Sequence, residues 1–410
     1  MAESTEQKEP TGQKESPAQN ESAAQKESTE LKESPAQKES PAQNESPAQK
    51  ESTEPKETSG QNESTEQNES SGQNETTERT ESPGQDQHIP TAVEVDVQVT
   101  DNDSTYGNEL STYSASLTSS VLDYRHENGR RYHGYRDGSY LLPNDEKESD
   151  RLDMAHELTL TIMGRKLFLA PIGESPQRVL DLGTGTGIWA IDFADQFPSA
   201  EVIGNDLSPI QPNLVPPNVR FLVDDIEADW AYEDNPFDFI HARYLCYSIK
   251  DFKRLIQQCY NCTKPGGWVE FQDWDCLLRS EDGTTKDTAI ERWYTDFRGA
   301  FERAGYPTRP GPYLEGWFRE AGFVDIHVQK YRVPIGVWPK DPYYKRVGTW
   351  MLLQLEQGLE GAAMAVFTRF ENWKPEEVTV FSAQALNDAK NPKIHSLLDF
   401  YVVYGRKPEA

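Results

Sequence analysis

The 410 residues carry 69 acidic against 41 basic side chains, a formal net charge of −28, and 35% of them are apolar. Such an excess of anion argues against phosphate-led nucleic-acid binding, which needs clustered Lys and Arg. Four cysteines suit a reducing compartment rather than a disulfide framework, and no stretch approaches the ~18 apolar residues of a membrane span.

Residues Gln7 to Gly84 read as thirteen hexads, from QKEPTG and QKESPA to QNETTE and RTESPG, each with Glu at its third position. Leu31 is the one large apolar residue of the array, and a six-residue period keeps no side chain on one helical face. The array therefore cannot offset roughly 1–2 kcal/mol of ordering entropy per residue, and it lacks the apolar face on which solenoid repeats stack. Disorder is the expectation. Nineteen Glu against eight basic residues give residues 1–85 a net −11, so the rest of the chain carries −17. Ser-Pro steps at Ser16, Ser34, Ser40, Ser46 and Ser82 suit kinases, although any coil of this composition contains such steps. The opening MAESTEQKEP lacks the apolar core of a secretory signal, so the sequons at Asn20, Asn44, Asn62, Asn68 and Asn74 are expected to stay unglycosylated. The expected location is nucleus or cytoplasm, with no membrane contact.

Residues 1–104 are thus expected to be tail and linker, with one β-prone patch in TAVEVDVQV, and 105–410 one folded domain. The stretch SSVLDYRHENGRRYHGYRDGSYLLPNDE is too aromatic for a linker. Its Tyr132, His133 and Tyr135 suit packing of the N-terminal helix or a cover over a ligand, and Arg130 and Arg131 suit surface ion pairs. Asp145-x-x-Glu148 offers a capping box for a helix through RLDMAHELTLTIMGRKLFLAP, with Leu152, Ala155, Leu158 and Ile162 as its buried stripe.

From Arg178 strands and helices alternate: strand RVLDLG, helix GIWAIDFADQFP, then strands EVIGND, VRFLVDDI and FDFIHARY. Helix DFKRLIQQCYNC stops at Pro265-Gly266-Gly267 and leads into strand WVEFQDWD. Helix TAIERWYTDFRGAFERAG, strand FVDIHVQKYRVPIG and final strand LLDFYVVYGRKP follow. The pattern predicts an α/β fold with a doubly wound, mostly parallel sheet. Residues of about 338–391, mostly helical, form an insertion expected to act as a lid or substrate wall. Cys259-x-x-Cys262 could suggest redox or zinc chemistry. With Phe252, Leu255 and Ile256 at helical spacing, however, both thiols read as core residues, and no metal is expected.

The stretch LDLGTGTGIWA, Leu180 to Ala190, holds the chemistry. A glycine-packed strand-to-helix turn lets a ligand approach the main chain and the helix N–H groups. A dinucleotide fingerprint wants a third Gly where Ile188 stands, and a phosphate-binding loop wants Gly-Lys-Ser/Thr, absent here. A nicotinamide oxidoreductase is accordingly the weakest reading. The acidic D-x-G-x-G-x-G pattern of Asp181, Gly183, Gly185 and Gly187 instead resembles motif I of the class I (Rossmann-like) S-adenosylmethionine-dependent methyltransferases. That resemblance implies Asp181 near the cofactor's ammonium group, with the turn, Thr184 included, around its methionine and ribose. It implies Asp206, 19 residues past Gly187, on the ribose hydroxyls with Leu207 after it, and Asp225 on the adenine amine with Ile226 beside the ring.

The segments ENGRRYHGYRDGSYLLPNDEKESDRLDMAH, VLDLGTGTGIWAIDFADQFPSAEVIGNDLSPIQPNLVPPNVRFLVDDIE, FDFIHAR and VVYGRKP are similar to the fungal LaeA-type methyltransferases over residues 117–408. The resemblance implies a methyltransferase linked to fungal secondary metabolism, with S-adenosyl-L-methionine as cofactor and a small molecule or protein as acceptor. It equally admits a regulatory subunit acting through velvet-type protein partners. His241, just past the fourth strand, is the first candidate base for the acceptor proton. Asp273 and Asp275 are weaker ones. Seven of the nine tryptophans, Trp268 to Trp373, follow Gly267, as if late segments walled an aromatic pocket.

Overall fold

The computed structural model describes residues 123–409. The hexad array, the TAVEVDVQV patch and the domain start at 105 lie outside the described residues. Two short strands open the fold, β1 (Arg125–Glu127) and β2 (Arg130–Tyr132), joined by Asn128-Gly129 with φ of 51° and 75°. Asn-Gly takes these left-handed angles without strain, which makes it a hairpin turn.

Helix α1 (Glu146–Ile162) begins at Asp145, whose carboxylate accepts from Glu148 N. The expected capping box is only half formed. Glu148 turns away to pair with buried Arg151 at 2.7 and 2.9 Å. Leu158 and Ile162 are buried as expected, but Leu152 and Ala155 are only half-buried, because they face a cleft. Arg130 is not a surface residue either. It sits in a partly buried pair with Asp145 at 2.6 Å, beside Gly361.

The main sheet has seven strands: β3 (Arg178–Leu182), β4 (Glu201–Asp206), β5 (Val219–Val223), β6 (Phe237–Arg243), β7 (Thr263–Arg279), β8 (Val324–Pro334) and β9 (Leu397–Arg406). Their order is β5-β4-β3-β6-β7-β9-β8, and the five strands from β5 to β7 are parallel. β9 runs antiparallel to both of its neighbours. β3 is buried at every position, as a strand covered on both faces must be. Its residues alternate between two cores. Val179 packs with Phe239 and with Trp189 and Phe193 of α2 (Ile188–Gln196). Leu180 and Leu182 pack with Leu255 and Ile256 of α3 (Phe252–Cys262), where Cys259 and Cys262 are also buried.

Two helices follow β7: α4 (Ala289–Arg303) and α5 (Gly311–Ala321). The sequence pattern leaves α5 unassigned, because Gly and Pro crowd its start. Pro is nonetheless at home in a first helical turn, and Leu314 and Phe318 bury one face of it. The insertion is α6 (Pro342–Phe370) and α7 (Pro375–Lys390). Gly358 and Gly361 of α6 give it room beside Arg151 and Arg130, which reach it from α1 and the hairpin. Val347, Met351 and Phe367 of α6 lie in one core with Trp293 and Phe297 of α4. Among the described residues no helix is long and apolar enough to cross a membrane.

Two identical substitutions in helix interiors should act in opposite directions. Gly316 in α5 faces open space, so Gly316→Ala should raise the unfolding free energy by about 0.5–1 kcal/mol. A Cβ on Gly348 in α6 would strike the backbone oxygen of Gly336, so Gly348→Ala should lower it by about 1–3 kcal/mol. Urea unfolding of the two variants checks both signs.

Candidate functional site

β3 ends in the glycine turn, where Gly183, Gly185 and Gly187 have φ of +62°, +59° and +79°. Side chains other than glycine rarely hold such angles, and at Gly187 a Cβ would also run into the Phe221 ring of β5. The turn is pinned to the end of β4. Thr184 N donates to Asn205 O at 2.9 Å and Gly185 N to Asp206 Oδ2 at 2.9 Å. Gln211 Nε2 holds the turn from outside through Gly185 O at 2.7 Å.

Asp181 lies opposite His241 in the β3–β6 register. His241 is therefore the fifth residue of β6, not a residue past its end. Its Nδ1 lies 2.7 Å from Asp181 Oδ1, and Thr184 Oγ1 donates to Asp181 Oδ2 at 2.6 Å. The Trp189 indole stacks on the imidazole at 3.7 Å, with the two rings 3° from parallel. Burial pushes the His241 pKa below 6.5, against the pull of Asp181, so the ring tends to neutral. Its Nε2 has no partner among the described residues.

Arg243 follows two residues on. Its Nη2 meets His156 Nδ1 at 2.9 Å, while His156 Nε2 is taken by Asp192 at 3.0 Å. Arg243 Nη1 is buried with no partner in the structure, and burial pulls the guanidinium pKa down to about 10. A buried cation without a carboxylate is costly, so this one is the strongest sign of a missing anion.

Asp181, the turn, Trp189, His241 and Arg243 line one cavity of about 500 Å3 of space free of protein atoms, partly open to solvent. Leu152, Ala155, His156 and Thr159 of α1 close it from above. Of the sequence-predicted cofactor residues, Asp181, Gly183, Thr184 and Gly185 are thus brought together. Gly187 stands behind them as the α2 cap. Asp206, Leu207, Asp225 and Ile226 lie farther along the carboxyl edge, outside this cavity. Burial raises Asp206 to about 6, despite N–H donors from Gly185 and Ser208 at 2.9 Å each. Asp225 sits two residues beyond the end of β5 rather than in the strand. It accepts from Glu227 N at 2.9 Å and pairs with Arg136, a contact that no local sequence pattern announces.

A second cavity of about 610 Å3, measured the same way, adjoins the first, and Tyr244 lines both. Tyr244 and Tyr247, also in its wall, have φ of +62° and +70°. Bulky side chains at such angles cost of order 1–3 kcal/mol each and recur at functional sites. Tyr247 Oη and Trp274 Nε1 are buried there without an oxygen or nitrogen partner. Only Trp274 and Trp293 of the seven late tryptophans line this space. Trp317 stacks on Phe252 and Trp373 on Phe367, as ordinary core.

The two alternative bases are both occupied. Asp273 accepts from Leu245, Cys246 and Trp274 N–H groups, with burial raising it to about 7. Burial works upward on Asp275 as well, but Arg309 and Arg279 outweigh it and hold the carboxyl below its ordinary range. Tyr132 and His133 are buried, and Arg369 lies 4.8 Å over the Tyr132 ring, so these two pack the hairpin against α6.

Comparison with known proteins finds a family model described as "Methyltransferase domain" over residues 154–328. "Methyltransferase pytC" of Aspergillus terreus is 44% identical over 321 residues, 78% of this chain and 97% of that protein. "Secondary metabolism regulator LAE1" of Cochliobolus heterostrophus is 38% identical over 290 residues, 69% of this chain and 94% of that one. "Secondary metabolism regulator laeA" of Aspergillus flavus is 36% identical over 296 residues, 72% and 80% respectively.

The buried imidazole has a pH consequence. A folded-state pKa lowered from 6.5 means that the stability it contributes is present above that value and is lost as pH falls. The wild type should therefore lose stability more steeply than His241→Gln as pH drops below about 6.5, by at most about 1.4 kcal/mol per unit. Paired urea titrations at several pH values check this; equal slopes would contradict it.

Proposed function

The chain belongs to the LaeA-type S-adenosylmethionine-dependent methyltransferases linked to fungal secondary metabolism, and we propose that the glycine-turn cleft binds this cofactor by its zwitterionic end. The observation that carries the proposal is Arg243. A buried guanidinium whose Nη1 has no partner among the described residues and the Asp181 carboxylate line one small cavity, a cation and an anion for the two charges of an amino acid. Asp181 would take the ammonium and Arg243 the carboxylate, while Gly183, Thr184 and Gly185 would leave the main chain bare beside them. Asp206 would accept from ribose hydroxyls, with Leu207 beside it. Asp225 would take the adenine amine against Ile226, with Arg136 fixing its carboxylate. A dinucleotide would put phosphates beside Asp181, where like charges repel.

When bound, such a cofactor supplies an electrophilic methyl group on a sulfonium. In-line displacement draws most of its acceleration from positioning. In this reading His241 is a positioning residue rather than the acceptor's base. Held by Trp189, it donates Nδ1–H to Asp181 and fixes the direction of that carboxylate. The acceptor would approach from the side of Tyr244 and the second cavity.

The reading favoured is an enzyme acting on a small-molecule acceptor in the cytoplasm or nucleus. The relatives described as secondary metabolism regulators support a second one, a subunit that keeps the cofactor cleft and acts through velvet-type protein partners. Radiolabelled methyl transfer into small-molecule extract separates the two. Transfer that stops in Arg243→Gln upholds the enzyme; no transfer, with a velvet-protein complex that survives Gly185→Asp, upholds the regulator.

Calorimetry tests the cleft. S-adenosylhomocysteine should bind and NAD should not. Arg243→Gln should weaken binding about tenfold or more, the ~1.5–3 kcal/mol of a charge-assisted hydrogen bond. Asp206 ionises at about 6, so its accepting power is present above that pH and lost below it. Affinity should fall as pH drops through about 6, and Asp206→Asn should flatten that dependence.

A further inference from the structure

We propose that the second cavity is the methyl-acceptor pocket, and that it takes an uncharged, planar, largely apolar small molecule bearing at least one oxygen that accepts a hydrogen bond. This rests on the cofactor reading of the adjoining cleft, since Tyr244 belongs to both walls.

The size and walls of the space come first. The space free of protein atoms is about 610 Å3, with open solvent at its mouth included. Its walls come from α1, β7, α4, α6 and β9, and from the turn after β6, and like the first cavity it is partly open to solvent. Trp274, Trp293, Phe297, Met351 and Leu398 in those walls are all buried.

The chemistry of the lining comes second. Its one ion pair, Glu148 with Arg151, is closed on itself by two hydrogen bonds, and Arg151 Nη1 is further occupied by Gln354 Oε1 at 3.0 Å. No charge is left over to neutralise an ionic ligand. Six of the fifteen other lining residues are aromatic, with Trp293 and Phe297 stacked at 4.5 Å and Trp274 edge-on to Tyr244 at 5.9 Å, and most of the rest are aliphatic. Aromatic faces favour flat partners.

The unsatisfied atoms complete the inference. Trp274 Nε1 can only donate and has no partner among the described residues, and Tyr247 Oη, which can donate or accept, has the Cys276 thiol beside it but no oxygen or nitrogen partner. Buried polar atoms are nearly always paired, so two such atoms in one cavity wall point to a ligand oxygen that pairs with them. Tyr244 and Tyr247, both lining this space, hold left-handed backbone angles at a cost of order 1–3 kcal/mol each.

The probe is 2-naphthol, flat and uncharged near neutral pH, with 2-methylnaphthalene as the same shape without the oxygen. Binding is measured by calorimetry on the full chain saturated with S-adenosylhomocysteine. The expected result is that 2-naphthol binds at least tenfold tighter than 2-methylnaphthalene. Trp274→Phe, which keeps an aromatic ring and drops the N–H, should remove most of that preference. Ala362→Trp, which fills the cavity from α6, should abolish binding of both while S-adenosylhomocysteine affinity stays within twofold. A protein that binds S-adenosylhomocysteine but not 2-naphthol, or binds it equally well in Ala362→Trp, overturns the pocket assignment and leaves the cofactor cleft standing. Failure to bind S-adenosylhomocysteine overturns the cofactor reading instead.

Discussion

The buried carboxylate of Asp181 is the point on which the cleft depends. It is only 3% exposed, yet it belongs to three parts of the fold at once. Thr184 ties it to the glycine turn, His241 ties it to β6, and Trp189, stacked on His241, ties it to α2. An anion held from three sides in a low-dielectric setting cannot swing to follow a ligand. It offers a fixed negative direction, which is what preorganised recognition of a cation requires.

The same logic extends to the cations. In a chain of net charge −28, Arg130, Arg151 and Arg243 are nevertheless drawn inward. Arg130 and Arg151 are satisfied by Asp145 and Glu148, and the glycines of α6 leave them room. Helix α6 meets α1 at Arg151 and the hairpin at Arg130. Of the three, Arg243 pairs with no carboxylate directly and bonds instead to His156, with Asp181 and Asp192 acting on it from farther off. The difference between a structural arginine and one that awaits a ligand thus lies in the partner, not in the residue type.

Much of this was legible in the residues, and the misses have identifiable causes. The βαβ alternation, the glycine turn and Asp206 at the end of β4 stand where periodicity puts them, because both faces of a parallel sheet must be apolar, whereas Asp225 lies two residues past β5. The Asn128-Gly129 hairpin signal is present in the sequence but is masked by the aromatic residues around it. α5 escapes the pattern because Pro and Gly at a helix start resemble a loop. His241 lies inside its strand rather than past it because boundaries drawn from apolar runs blur by a residue or two. Arg136 and Arg243 carry no local pattern at all. Their partners stand 89 and 87 positions away in the chain.

Local chemistry, then, is what the linear order of residues determined. Where chain direction must reverse, where glycine alone can sit and which strand ends carry acid all follow from backbone sterics within a few residues. The family, too, rests on those segments. Tertiary packing decided the rest: that Asp181 meets His241, that Arg243 meets His156 with no carboxylate in contact, and that α6 with α4 walls a cavity sharing Tyr244 with the cleft. Burial and pairing are properties of a side chain's surroundings. Those surroundings are assembled from elements distant in sequence, so no reading along the chain can supply them.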